Sequence, residues 1–194
     1  MPRRTSSRTL WAAKLAGKEV APVAVAALGI AVGRPLRGLI LGIDPSLRGT
    51  GLAVVEARGR DELVLHASET LQLRKQLTMP ECLGEIAGAV ARMLDTYTIN
   101  HVAVEETIYV QNFRTAQILG MARGAAISVA AMRGLPVYEY SPLRIKQAVS
   151  GFGRASKQQV ADQMKGLLHL ADALSFDEAD AAAVAACHAF TWKG

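Results

Sequence analysis

The chain has 194 residues, of which 51% are hydrophobic, 20% charged and only 5% aromatic. That length suits one domain with a sizeable core, the composition excludes a disordered polypeptide, and no apolar run reaches the ~20 residues that a membrane-spanning helix needs. The formal net charge of +5 would suit a polyanionic partner such as nucleic acid, but it is unevenly placed.

Residues 1–37 carry seven basic side chains against Glu19 alone, a net +6, so the remainder stands at −1. A basic start followed by the apolar stretch Val20 to Val32, broken by Pro22 and Gly29, shares features with a signal peptide. The late start of that stretch favours a basic, flexible N-terminal extension, or a start codon assigned too early, ahead of one folded domain over residues 38–194.

Leu39 to Ile43 is a continuous apolar run of β type, and Gly49 to Glu56 is a second; the turn-rich segment Asp44-Pro45-Ser46-Leu47-Arg48 between them predicts an antiparallel pair. Alternation over Glu62 to Leu73 predicts a third, half-buried strand that completes a meander. Pro80 fits the first turn of a helix whose stripe is Leu83, Ile86, Ala87, Val90, Leu94 and Tyr97. His101 to Glu105 reads as a buried strand ending in carboxylates. The helix expected over Asn112 to Arg133 has the stripe Ala122, Ala125, Ala126, Val129 and Ala130, with Ile118, Met121 and Met132 on another side. Two apolar faces need two partners, and the second face is the candidate contact of a homodimer.

Val137 to Tyr140 is a short fifth strand. Ser141-Pro142 and Ser156 to Gln159 carry N-cap and capping-box signals for two helices, and a last helix runs from about Asp177 to Phe190. Three strands, helix, strand, helix, strand and further helices give an α/β domain with a five-stranded mixed sheet flanked by helices. Cys82 and Cys187 have neither zinc-ligand spacing nor a framework of partners, and are expected as buried, reduced thiols of a cytoplasmic protein. The four histidines lack ligand spacing and are assigned no role.

Candidate chemistry sits where elements end. Asp44 ends the first strand and Glu105 the fourth, while Asp177 and Asp180 share one face of the last helix, three residues apart. Acids in a first turn can simply complement the helix dipole. The run Ala181 to Ala186 that follows has few bulky side chains, however, so the helix can approach a sheet closely and carry its aspartates to the strand-end acids. Several carboxylates meeting around two divalent ions are a recurrent apparatus of in-line phosphodiester chemistry. Glu106 is expected on the opposite strand face from Glu105, and Glu178 is expected in solvent. From Arg114 to Lys165 eight basic residues face two acids, so a near-neutral body separates into an acidic site and a basic stretch.

The segments Ile40-Leu41-Gly42-Ile43-Asp44-Pro45 with Thr50-Gly51, Val102-Ala103-Val104-Glu105, Gly120-Met121-Ala122-Arg123-Gly124, Pro136-Val137-Tyr138-Glu139-Tyr140 and Asp177-Glu178-Ala179-Asp180-Ala181 follow in order. Together they closely resemble the RuvC Holliday-junction resolvases, over about Leu39 to His188. The resemblance implies a ribonuclease-H-like fold in which Asp44, Glu105, Asp177 and Asp180 hold two Mg²⁺ or Mn²⁺ ions and carry catalysis. It also implies a cytoplasmic homodimer that cuts four-way DNA junctions by paired symmetric nicks in recombination and repair, with a RuvA–RuvB branch-migration complex as partner and no membrane association. Lys146 and Lys157 match family positions that hold DNA near the metals, with Arg144 and Arg154 as neighbouring candidates.

Two departures stand out. Ser46 replaces a glycine common after the Asp-Pro pair. The position of an aromatic that stacks on junction bases is Ile108, next to Tyr109, so either Tyr109 or an apolar wedge at Ile108 takes that part; Phe152 between Gly151 and Gly153 is a further aromatic in a loop. Alternative readings are another ribonuclease-H-like nuclease acting on branched DNA or RNA–DNA hybrids, and a non-catalytic junction-binding module, which the presence of all four acids disfavours. An actin-like ATPase, suggested by Gly42-Ile43-Asp44 and Thr50-Gly51, needs two such domains and a longer chain.

Overall fold

A computed structural model describes residues 35–59, 62–107 and 112–193. The extension read over residues 1–37 lies almost wholly outside the described residues, as do Ile108 and Tyr109. Leu36 is within them and is buried in the core.

Five strands, β1 (Gly38–Asp44), β2 (Gly49–Ala57), β3 (Leu63–Gln72), β4 (Ile99–Glu105) and β5 (Val137–Tyr140), form one sheet in the order β3-β2-β1-β4-β5. The meander β1 to β3 is antiparallel, whereas β4 and β5 run parallel to β1. The helices are α1 (Met79–Thr96), α2 (Phe113–Met132), α3 (Pro142–Ser150), α4 (Lys157–Leu167) and α5 (Phe176–Thr191). This is the α/β architecture that the order of apolar runs predicts, with boundaries displaced by one or two residues.

The period of two along a strand sends alternate residues to opposite faces. Leu41, Ile43, Leu52, Val54, Val102 and Val104 bury one face against α1 and α2. Ile40, Ala53, Val55 and Ala103 bury the other with α3, α4 and α5. Every residue from Ala181 to His188 is buried, since the sheet lies on one side of α5 while α3 and α4 also pack on it. In α1 the buried line is Cys82, Ile86, Ala89 and Val90, with Leu83, Leu94 and Tyr97 at its margin.

The contact between α5 and the sheet is unusually close. A Cβ at Gly42 would run into the backbone carbonyl of Ala181 and lie 3.0 Å from the Cβ of Ala185. A Cβ at Gly51 would run into the carbonyl of Asp177. Glycine on the strands and alanine on the helix are both needed, because backbone rather than a flexible side chain is what a larger residue would meet.

Capping residues set where the helices start. Ser175 accepts from the Glu178 N–H at 3.3 Å while Glu178 accepts from the Ser175 N–H at 2.9 Å. The Glu178 carboxylate also accepts from the Ser68 hydroxyl at 3.1 Å, so it ties α5 to β3 rather than standing in solvent as expected. Gly51→Ala should therefore destabilise the protein by about 1–3 kcal/mol in denaturant unfolding, the usual scale of overpacking. Gly84→Ala, in α1 where a Cβ meets nothing within 4 Å, should be neutral or stabilise by up to about 1 kcal/mol; equal effects would contradict the close approach.

Candidate active site

Parallel pairing of β1 and β4 sets Ile43 opposite Val104, so Asp44 and Glu105 leave the same end of adjacent strands. The carboxyl ends of parallel strands are where open α/β sheets commonly hold ligands. The two carboxyl groups are close enough to interact directly, an arrangement favoured when one of them keeps a proton. Burial raises Glu105 far above the ordinary carboxyl range, and the charge of Asp44 and the hydrogen bond to it push the same way. Burial also raises Asp44, while its hydrogen bond with Glu105 pulls it partly back. Glu105 is thus the donor and Asp44 the acceptor in a pair that shares one proton.

The close approach of α5 delivers Asp180 to these acids, and all three line a cavity of about 190 Å³ with Pro142, Ile145, Lys146, Lys157 and Val160. Lys157 Nζ donates to Asp180 Oδ2 at 2.9 Å, and that bond raises its pKa. The ammonium sits among carboxylates that would otherwise repel one another.

Asp177 stands apart from this cavity, one helical turn back over the β1–β2 turn; a Cβ at Gly49 would lie 3.3 Å from its Oδ2. Ser46 organises that turn, accepting from the Gly49 N–H at 3.2 Å, while the Thr50 hydroxyl accepts from the Ser46 N–H at 3.2 Å. A hydroxyl thus shapes the turn at the position where a glycine is common. Among the described residues, no three His, Cys, Asp or Glu side chains converge as a ready-made metal cage.

Glu106 follows the end of β4, its N–H bonded to the Tyr140 carbonyl at 2.9 Å. It lines an adjoining cavity of about 260 Å³ with Asp44, Pro45, Ser46, Glu105 and Thr107.

The basic stretch does not form a single patch. Arg123 pairs with Glu139, and Arg133 with Asp95 at 2.8 Å, joining elements away from the acids. Lys146 and Lys157 are in the cavity wall. Arg144 places its guanidinium 5.1 Å from the Tyr140 ring centroid, and Arg154 is exposed in the α3–α4 loop.

The histidines contain what the sequence reading missed. His188 is fully buried in α5; its Nδ1 meets the Tyr140 hydroxyl at 2.7 Å and its Nε2 meets His101 Nδ1 at 2.7 Å. Burial lowers its pKa to about 4, so the ring is neutral at physiological pH. This hydrogen-bonded chain ties the C-terminal part of α5 to β4 and β5. Residues 87 apart in sequence carry no spacing signal that could have announced it.

Residues 40–188 match the family model described as crossover junction endodeoxyribonuclease RuvC. A protein of that name from Cupriavidus metallidurans is 42% identical over 150 residues, covering 77% of this chain and 82% of the relative. One from Pelotomaculum thermopropionicum is 40% identical over 158 residues, covering 80% and 96%. The solved structure of Thermus thermophilus RuvC in complex with Holliday junction substrate superposes with a TM-score of 0.74 at 36% identity, covering 79% of this chain and 93% of that one. The family model over residues 40–188 and relatives about 40% identical over most of their length place the chain in the RuvC family of crossover junction endodeoxyribonucleases, Holliday junction resolvases that hydrolyse DNA phosphodiester bonds.

Proposed function

We propose that Asp44, Glu105, Asp177 and Asp180 form the metal-dependent catalytic centre of this resolvase, and that a four-way DNA junction is its substrate. The observation that carries the reading is the single cavity in which Asp44, Glu105 and Asp180 face Lys146 and Lys157. The donor set fits Mg²⁺ or Mn²⁺, since it consists of hard carboxylate oxygens. Lys157 offsets part of its negative charge through Asp180, and a divalent cation would offset more. Two such ions, when bound, would supply Lewis-acid activation of water and stabilisation of the departing oxygen.

The chain's own groups prepare that chemistry. Asp44 and Glu105 give up their shared proton and present oxygens from rigid strand ends. Asp180 turns from Lys157, whose ammonium is then available to a phosphate oxygen of the bound strand. Lys146, on the same wall, adds positive charge where the phosphodiester must approach an acid-rich surface. Arg154 and Arg144 extend the backbone contact outward, and Asp177 completes the acids from one turn back on α5.

Paired nicks follow from a two-fold dimer, which places identical sites at symmetry-related strands. On α2, Ala122, Ala126 and Ala130 face the core, while Met121 is 41% exposed and Met132 is 87% exposed on the opposite side. That outward apolar stripe is the proposed dimer contact. The folded domain over residues 38–194 is the nuclease unit, acting in the cytoplasm in recombination and repair beside a RuvA–RuvB branch-migration complex.

Asp44→Asn and Glu105→Gln should each lower divalent-dependent cleavage of a synthetic four-way junction by about 10²–10³-fold or more, the scale of losing one preorganised electrostatic group, with junction binding retained in a gel-shift measurement. Cleavage at the wild-type rate in either variant would overturn the assignment. Sedimentation should show a dimer that Met121→Glu converts to monomer; a wild-type monomer both with and without junction DNA would remove the α2 interface.

A further inference from the structure

The loop between α3 and α4 has features that the catalytic reading does not use. Gly151 closes α3 at φ 73°, a left-handed conformation suited to glycine. The Ser150 hydroxyl donates to the Lys146 carbonyl at 2.7 Å and accepts from the Phe152 N–H at 3.3 Å. It also lies 3.0 Å from the Phe152 carbonyl, which accepts from the Ala155 N–H at 3.2 Å. The backbone of Phe152 is therefore held at both its donor and its acceptor, yet its side chain is 59% exposed.

The loop also folds back on α3. A Cβ at Gly153 would lie 3.1 Å from Leu143 Cγ and 3.5 Å from the Leu143 carbonyl, so glycine is what lets the chain lie against the first turn of that helix. Leu143 is itself 61% exposed and directly follows Pro142, which lines both cavities at the acids. Phe152 and Leu143 are thus two exposed apolar side chains on adjoining backbone, Leu143 being next in sequence to a residue of the cavity wall. Lys146 and Lys157 lie on that wall, and Arg154 is exposed in the same loop as Phe152. A single exposed apolar residue needs no explanation, but two on a fixed backbone, with a cation in the same loop and the acid-bearing cavity starting at the neighbouring Pro142, suit a contact surface.

Nucleic acid has one apolar surface to offer between its phosphates, the face of a base. That face is reachable only where stacking is interrupted, as it is where strands exchange partners at a junction. A phenylalanine ring has no hydrogen-bonding atom, so it takes any base by its π-face without reading sequence. Because the loop is already ordered by its own hydrogen bonds, little conformational entropy is lost on contact.

We propose that Phe152 is a base-stacking residue, its ring receiving an unstacked nucleobase of the junction while Lys146 and Arg154 hold the adjoining phosphates. This rests on the junction-resolving reading above and adds to it a substrate contact on the α3–α4 loop.

The test uses the full chain with Phe152→Ala, Phe152→Leu and Phe152→Trp, measuring binding to a synthetic four-way junction and to a linear duplex of the same sequence without divalent metal. Phe152→Ala should weaken junction binding by about fivefold to hundredfold, the range found for removing one base-stacking aromatic. Phe152→Trp should restore it, Phe152→Leu should not, and duplex affinity and thermal midpoint should stay as in wild type. Unchanged junction binding in Phe152→Ala, full recovery by Phe152→Leu, or an equal loss on the duplex would overturn the stacking role. Wild-type cleavage of the junction with Mg²⁺, run in parallel, separates the two levels. If it is present while Phe152→Ala binds normally, only the stacking role fails; if it is absent, the broader reading and this one fail together.

Discussion

Everything at the catalytic end of this molecule depends on how closely α5 lies on β1 and β2. Backbone carbonyls of Ala181 and Asp177 occupy space that a Cβ at Gly42 or Gly51 would need. The helix touches the sheet through alanines and glycines, and that lets Asp180, with its short side chain, reach the strand-end acids Asp44 and Glu105. Longer acids on a more distant helix could span the same gap, but their extra rotamer freedom would have to be lost on each assembly of the site. Rigid spacing achieves the convergence with little side-chain entropy at stake. The buried hydrogen bonds among Tyr140, His188 and His101 hold the other end of the same helix against β4 and β5.

Bringing carboxylates together out of water creates an electrostatic problem, and two features of the site relieve it. Glu105 keeps a proton that it donates to Asp44, and Lys157 places its ammonium on Asp180. Both are replaceable. On the proposed reading, a divalent cation would take the place of both. On the same reading, the lysine that balances the acids would also meet substrate phosphate.

The strands, the helices and the strand-end acids Asp44 and Glu105 were legible because period-two and helical patterns, turn residues and capping signals are local. The alanine run in α5 likewise announced a close helix–sheet contact, and Gly42 and Gly51 are its counterparts across the interface. What stayed hidden depends on contacts far apart in the chain. Glu178 looked solvated because nothing nearby shows that β3 brings Ser68 to it. The histidine chain joins residues on three elements. The basic run from Arg114 to Lys165 looked uniform, yet Arg123 and Arg133 are spent on Glu139 and Asp95, and only tertiary structure separates them from Lys146 and Lys157.

The account is tested most directly by counting protons released when Mn²⁺ binds at neutral pH, by calorimetry in buffers of different ionisation enthalpy. A carboxyl whose pKa is raised by burial stays protonated at neutral pH and must ionise to become a ligand, so metal affinity rises with pH until that proton is already gone. About one proton per chain should leave on binding, none at strongly alkaline pH, and none in Glu105→Gln if any metal still binds. Binding with no proton release at neutral pH, or with the same release in Glu105→Gln, would contradict the shared proton and with it the assembly of this site.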